Sequence, residues 1–326
     1  MVAKPLPVAI TPERPPVPQV VVQHRIIRSR GGIGMGACLS YGGVEFLIHA
    51  DPSVEIRRPE SPYDRFLIEK TGVDAVDVQV IRGPFSAPQG MARICDNVGS
   101  WKIFAEQDQR VIFHHPPAFP EPLWRLDFSL QNQEVKLYCS EAFLMPGDDG
   151  SILNPLTYPL DILSMMYRLA ASKSGFILHG GAACTDSGAI LFSGESTAGK
   201  TTLSRLCLEA GLPILSDDRI IIRSDDPSAA QAWGTPWLGD PDIAINKSAP
   251  ILGLCFLTQG DHSHLKPMST SEAVRRLLPV TSIPWFDSEV TNTILSICEQ
   301  SLARIPVHEL VFLPDSTAVD ALLTLA

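Results

Sequence analysis

The sequence predicts an α/β fold of the α+β type, in which a β-rich first half precedes a second half of alternating helices and strands. Short runs such as GVEFLIHA at 43–50 and LWRLDFSL at 123–130 alternate apolar and polar residues, which is typical of half-buried strands. From residue 158 onward, apolar residues recur every three to four positions, which indicates a helix face. The segment GESTAGKT at 194–201 follows an apolar strand pattern and precedes a helical one. The second half is therefore expected to be built around one glycine-rich loop.

The composition is that of a globular chain. Of the 326 residues 45% are hydrophobic and 19% are charged, and the formal net charge is −10. An acidic balance argues against nucleic acid or an anionic membrane as a general partner. No apolar run of about 18 residues predicts a membrane helix, and the N-terminus lacks the apolar core of a secretory signal. The seven cysteines are scattered singly without a C-x-x-C pair, so we expect reduced thiols and a cytoplasmic protein.

Three segments are expected along the chain. Residues 1–20 carry six prolines and predict a flexible tail. Residues 21–150 predict a mostly antiparallel β module, with a hairpin at 131–133 and one weaker helical pattern at 61–72. GGIGMGA at 31–37 is rich in glycine, but the segment after it predicts a strand and not the helix of a dinucleotide site. Residues 151–326 form the third segment.

The elements expected in the third segment alternate. Helices are predicted over 158–175 with a stop at Gly175, from Lys200 to about Ala210 with a stop at Gly211, over 269–279 and over 316–325. Strands are predicted over 176–184, 189–194, 213–226, 249–260 and 303–315.

The GESTAGKT segment has the spacing G-x-x-x-x-G-K-[ST] of a phosphate-binding loop. Gly194 and Gly199 permit a wrap in which backbone N–H groups converge on a phosphate, and the helix that follows points its positive end at the same anion. Lys200 would contact the outer phosphates of ATP, and Thr201 would offer its hydroxyl to Mg²⁺. The residues expected at the nucleotide are Gly194, Glu195, Ser196, Thr197, Ala198, Gly199, Lys200, Thr201 and Thr202.

Three motifs together resemble the catalytic domain of the HPr kinase/phosphorylase family and of HPr-kinase-like proteins. These are His179 in LHGGAA before the loop, the loop itself, and Asp217 and Asp218 in LSDDRIII after the loop helix. The resemblance covers roughly residues 155–320. It implies a P-loop kinase domain of the type shared with ATP-dependent phosphoenolpyruvate carboxykinases, a mixed sheet with flanking helices. It also implies ATP- and Mg²⁺-dependent transfer to a serine-like hydroxyl of a peptide, a small protein or a small metabolite.

The resemblance implies roles for single residues. One of Asp217 and Asp218 would be the catalytic base and the other a metal ligand, with His179 beside the phosphates. Adjacent carboxylates on a strand point to opposite faces, so only one can face the loop unless a turn or bulge intervenes. We favour Asp217 as the base and Asp218 as the metal ligand, with a salt bridge to Arg219 or a turn cap as the alternative for Asp218. Because the resembled kinases form rings, a homo-oligomer is also implied.

The chain departs from the family in one stretch. Where the family carries a glutamate and an arginine, AWGTPWLGDPDIAINKSAP at 232–250 has no arginine. Asp240 or Asp242 could replace the glutamate as a second metal contact and Lys247 could supply charge, or the stretch could simply form turns. The protein HPr as substrate and a reverse phosphorylase activity are therefore not carried over.

Other residues keep two interpretations. Arg275 and Arg276 could approach the phosphate or the acceptor, or lie on an exposed helix face. Trp233, Trp237 and Trp285 could line an acceptor pocket or pack in the core.

Two other functions remain open from the sequence. One is a non-catalytic ATP-binding sensor or assembly protein. The other is a P-loop ATPase or GTPase, although NKSA at 246–249 lacks the aspartate of the guanine-reading N-K-x-D motif.

Overall fold

The computed structural model describes residues 28–29, 32–33, 36–50, 54, 61–69, 71–72, 74–97, 101–131, 133–143, 160–224, 229–237, 239 and 243–326. The expected tail at 1–20 and the candidate metal contacts Asp240 and Asp242 lie outside these residues. Among the described residues, no helix is both long and apolar enough to cross a bilayer.

The first half forms an eight-stranded mixed sheet. A separate antiparallel pair precedes it, β1 (Arg28–Ser29) and β2 (Gly32–Ile33). The strands of the large sheet are β3 (Gly36–Tyr41), β4 (Val44–Ala50), β5 (Val76–Arg82), β6 (Ala92–Asp96), β7 (Trp101–Glu106), β8 (Gln109–His114), β9 (Trp124–Ser129) and β10 (Glu134–Cys139). Their order is β3-β4-β5-β10-β9-β8-β7-β6.

The expected antiparallel character of this sheet is confirmed for most of its strands. Only β5 runs parallel to its neighbours, β4 and β10, and the remaining pairs are antiparallel. Period-two burial along β4 points every second side chain into the core, as the sequence pattern predicts. The weak helical pattern at 61–72 yields only a single 3₁₀ turn, Tyr63–Phe66.

The second half contains five helices and a seven-stranded sheet within the described residues. The helices are α1 (Leu160–Ala171), α2 (Lys200–Glu209), α3 (Thr270–Leu277), α4 (Ser288–Leu302) and α5 (Ser316–Leu323). The strands are β11 (Gly175–Cys184), β12 (Ala189–Ser193), β13 (Arg219–Arg223), β14 (Gln231–Trp233), β15 (Ser248–Gln259), β16 (His264–Pro267) and β17 (Val307–Phe312).

The sheet of the second half is also mixed. Its order is β12-β11-β13-β14-β15-β17-β16, and β12 pairs with β15 as well, so five of its strands close into a ring. β12, β15 and β17 are parallel. Their carboxyl ends therefore meet at one edge, and the glycine-rich loop begins there.

The predicted elements of this half are confirmed with shifted ends and three omissions. The first helix ends at Ala171, and Gly175 begins β11 instead of stopping the helix. Gly211 adopts φ +83° directly after α2 and ends it as expected. The strand predicted over 213–226 is confirmed only from Arg219 to Arg223, so the acidic pair precedes the strand. Helix α4 and strands β14 and β16 were not predicted.

The helices lie on both faces of the second sheet. α1 and α4 contribute residues such as Met165 and Ile294 to a core that also contains Ile48 and Val78 of the first sheet. α2 and α5 cover the opposite face in a second cluster. The two halves of the chain therefore share one hydrophobic core across α1 and α4.

A buried ion pair fastens the two halves together. The Arg110 guanidinium on β8 donates to the Asp287 carboxylate, 2.7 Å from Nε to Oδ2, and the two side chains are only 3% and 4% exposed. Asp287 is the N-cap of α4, and the Tyr167 hydroxyl of α1 donates to it as well. One carboxylate thus joins a strand of the first half to two helices of the second.

Candidate functional site

The glycine-rich loop, residues 194–199, is the tight connection from β12 to α2. Gly199 is the N-cap of α2 with φ +106°, a conformation that favours glycine. A Cβ at Gly199 would lie 2.5 Å from Cζ of Phe312, and one at Gly194 would lie 2.7 Å from Cβ of Ala198. A side chain at either glycine would therefore clash with Phe312 or Ala198, so this conformation of the loop requires glycine at both positions.

The loop is held by hydrogen bonds while its outer side chains face solvent. The Ala198 amide donates to the Glu195 carbonyl at 3.1 Å, and Gln259 at the end of β15 donates through Nε2 to the Thr197 carbonyl at 3.2 Å. Ser196 and Thr201 are exposed. Since Gly199 has no side chain to cap α2, the first N–H groups of this helix are left for another acceptor, and an anion suits them.

Lys200 is folded over the loop. Its ammonium group donates to the carbonyl oxygens of Gly194 at 2.8 Å and Glu195 at 3.2 Å. Burial lowers the pKa of Lys200, and the nearby charge of Asp218 acts in the opposite direction. The ammonium therefore lies inside the wrap of the loop, within electrostatic range of one member of the acidic pair.

Asp218 is the member of the acidic pair that faces this ammonium. His179 Nε2 lies 3.2 Å from Asp218 Oδ1, and the Arg219 guanidinium bonds the other carboxylate oxygen. Burial acts to raise the pKa of Asp218, but the hydrogen bond from His179 and the positive charges of Arg219 and Lys200 outweigh it, so the pKa is lowered. Asp218 is thus ionised at neutral pH.

His179 reaches this position through the sheet. Gly180, the next residue on β11, pairs with Ser193, the last residue of β12, and the Ser193 hydroxyl donates to the His179 carbonyl at 2.6 Å. His179 is itself paired with Arg219 of β13. Three neighbouring strands therefore place His179, Arg219 and the start of the loop side by side in the sheet.

Asp217 is oriented differently. Its side chain is buried, and its Oδ1 accepts a hydrogen bond from the Gly239 amide at 3.1 Å. Asp218 is therefore the carboxylate of the pair that is bonded to His179 and within electrostatic range of Lys200, and which of the two is the base stays a prediction. The alternative salt bridge from Asp218 to Arg219 is present as well.

The segment around Gly239 is anchored behind the acidic pair. Trp237 donates through Nε1 to the buried Asp161 of α1 at 2.5 Å, and its carbonyl accepts from the Ser216 hydroxyl at 3.2 Å. Tyr63 of the 3₁₀ turn in the first half also bonds Asp161. Burial raises the pKa of Asp161 to about 6. This network connects the first half of the chain to the backbone that holds Asp217.

The donor set near the loop fits magnesium only together with phosphate. In the part of the chain that the structure describes, no group of three His, Cys, Asp or Glu side chains could hold a metal ion alone. Mg²⁺ normally takes one or two protein oxygens and completes its shell with water and substrate phosphates. The Thr201 hydroxyl and the Asp218 carboxylate are hard oxygen ligands of this kind. The expected contact Asp240 lies outside the described residues.

The arginines and tryptophans considered as contacts of the phosphate or the acceptor include both anchored and exposed side chains. Arg276 is tied to Glu309 and to the Leu257 carbonyl, whereas Arg275 is exposed. Trp237 is buried, as the core interpretation requires, and Trp285 is 62% exposed.

Sequence reasoning missed two contacts of the site. Gln259 lies at the end of the strand predicted over 249–260, and that position was a usable signal for it. No sequence pattern pointed to Gly239, because its amide reaches Asp217 only when the chain is folded.

Neither protein-family models nor curated proteins match this chain. The class of the site therefore follows from its geometry, which joins a tight glycine-rich loop, a half-buried lysine and an ionised carboxylate bonded to a histidine.

Proposed function

We propose that this protein is an ATP- and Mg²⁺-dependent kinase with a P-loop domain of the HPr-kinase type, transferring the γ-phosphate to a serine-like hydroxyl. The observation that carries the proposal is the position of Asp218, bonded to His179 and within electrostatic range of Lys200 at the glycine-rich loop. A carboxylate beside a phosphate-binding loop is what hydroxyl-directed phosphoryl transfer requires.

In this proposal the glycine-rich loop binds the phosphates of the nucleotide. The backbone N–H groups of residues 194–199 and the first turn of α2 would bond the phosphate oxygens. Lys200 would exchange its carbonyl partners for the outer phosphates. Bound Mg²⁺, held by the Thr201 hydroxyl, would neutralise charge on those phosphates.

In this proposal Asp218 is the base that accepts the proton of the acceptor hydroxyl. The hydroxyl oxygen attacks the γ-phosphorus, the bond from that phosphorus to the β-phosphate oxygen breaks, and the hydroxyl proton passes to Asp218. A carboxylate of low pKa is sufficient because phosphoryl transfer depends mainly on positioning and charge neutralisation. His179 orients the carboxylate, and Asp217 fixes the backbone before it through Gly239.

The first half of the chain is proposed to form a wall on the acceptor side. Arg65 of the 3₁₀ turn donates to the Ala244 carbonyl at 3.3 Å, and Ala244 is bridged to Ser216, next to the acidic pair. The acceptor is a peptide, a small protein or a small metabolite. All seven cysteines are free thiols, which supports a cytoplasmic setting.

The proposal is tested by incubating the full chain with γ-labelled ATP and Mg²⁺ over an array of serine, threonine and tyrosine peptides and a panel of hydroxylated metabolites. Transfer of label to at least one hydroxyl is expected, and Lys200→Ala should abolish it. If calorimetry detects no Mg·ATP binding to the folded wild-type chain, the proposal is wrong.

A further inference from the structure

A polar cavity lies beyond β15, formed by α3, β16 and β17. Its volume is about 310 Å³, and its lining includes Lys266, Arg275, Arg276, Glu272 and Glu309. The cavity is at the lower end of the size range of ligand pockets. It therefore suits a small molecule and not a polymer.

The two carboxylates of this cavity are already engaged. Glu272 accepts from the amide of Ser269 at 3.1 Å and from its hydroxyl at 2.6 Å, which closes the capping box of α3. Glu309 accepts from Thr258 at 2.7 Å and from Arg276 at 3.0 Å. Both carboxylates are therefore already hydrogen-bonded within the protein.

The cations differ in how firmly they are held. Arg276 also donates to the Leu257 carbonyl at 2.9 Å, and its guanidinium lies 5.5 Å from the centre of the Phe256 ring, so it is fixed. Lys266 is 3.9 Å from Glu309. Within the described residues Arg275 makes no hydrogen bond or ion pair and acts only at a distance, on the pKa of Glu272. Three cations against two engaged carboxylates leave the cavity positive.

The cavity is separate from the glycine-rich loop. One row of the sheet runs from Ser193 through Phe256 and Glu309 to Lys266, each residue paired with the next. With roughly 4.8 Å between strands, Glu309 stands about 10 Å from Ser193 and Lys266 about 14 Å. His179 lies on the opposite side of Ser193, on β11. A phosphate held by the loop would not occupy this cavity.

We propose that this cavity is a binding site for a small anionic metabolite, whose phosphate or carboxylate group is taken by Arg275 and Lys266 against the fixed guanidinium of Arg276. A planar guanidinium binds such groups through two parallel hydrogen bonds, and Arg275 is free to make them. The site does not depend on the proposed kinase activity.

The test uses the full chain carrying Lys200→Ala, which weakens anion binding at the loop, and contains no nucleotide. Inorganic phosphate and malonate are titrated separately by calorimetry into this variant and into the same variant with Arg275→Gln added. Saturable binding of at least one anion is expected, about tenfold weaker after Arg275→Gln, since one charge-assisted hydrogen-bonding group is lost. The stronger of the two anions identifies the group recognised.

Arg93→Gln in the Lys200→Ala background is the matched control, because Arg93 is an exposed arginine on β6 paired with Asp96. It removes the same charge and should leave anion binding unchanged. Equal affinities with and without Arg275→Gln, equal losses from Arg93→Gln and Arg275→Gln, or no saturable binding of either anion would overturn the proposal. Since Arg275 is exposed, thermal unfolding should show all variants folded.

Discussion

Replacing Gly199 by alanine tests whether the glycine-rich loop is held against the core as tightly as its geometry implies. Two costs combine at this position. A non-glycine residue in the left-handed region costs about 1–2 kcal/mol. The new Cβ would also lie 2.5 Å from Cζ of the buried Phe312. Because overpacking a core costs about 1–3 kcal/mol, the expected loss of unfolding free energy is about 2–5 kcal/mol.

Gly211→Ala is the matched control at the other end of α2. Gly211 has φ +83°, but a Cβ there meets no atom within 4 Å, so only the backbone cost of about 1–2 kcal/mol applies. Urea unfolding followed by circular dichroism gives both values, and Gly199→Ala should be the more destabilising by at least about 1 kcal/mol. Adding Phe312→Leu to Gly199→Ala should show favourable coupling between the two substitutions. Equal effects of the two glycine replacements, without coupling to Phe312, would refute the reasoning.

Three further outcomes are expected. Arg110→Met leaves the Asp287 carboxylate buried without its guanidinium and should cost about 3–5 kcal/mol in urea unfolding; a loss below about 1 kcal/mol would contradict the buried pair. Asp161 has a folded pKa of about 6 against an ordinary 3.8, so its contribution to stability is greatest below about pH 4 and is lost as pH rises to about 6. The unfolding free energy of wild type minus that of Asp161→Asn should therefore fall by about 3 kcal/mol over this window, and a constant difference would exclude the shift. Ser269→Ala removes the capping box of α3 and should cost about 1 kcal/mol, while no loss would show that the box contributes nothing.

Local chemistry made the loop and its helix predictable. The apolar run before residue 194, the two glycines and the periodic helix after Lys200 each specify their own conformation, and they agree. Helix α4 was missed because SEVTNTILSICEQSL is rich in β-branched residues that usually favour strands. Its buried positions, among them Val290, Ile294 and Ile297, follow helical spacing. The spacing of apolar residues was therefore a better guide to this helix than the content of β-branched residues.

The orientation of the acidic pair could not be read from the sequence. Alternation along a strand decides which carboxylate faces the loop only if both residues belong to a strand, and Asp217 and Asp218 precede β13. The Gly239 amide, which is distant in sequence, donates a hydrogen bond to Asp217, while Asp218 is bonded to His179. The Arg110 and Asp287 pair depends in the same way on packing between distant segments.

The most direct test of the central claim compares Asp218→Asn with Asp217→Asn in transfer of the γ-phosphate from Mg·ATP to a hydroxyl acceptor. The assignment of Asp218 as base predicts that Asp218→Asn retains ATP binding and loses transfer by about 10²–10⁴-fold. Asp217→Asn, whose side-chain oxygen can still accept from Gly239, should lose less than about tenfold, a small fraction of a base's contribution. The reverse order of effects, or full transfer by Asp218→Asn, would contradict the account.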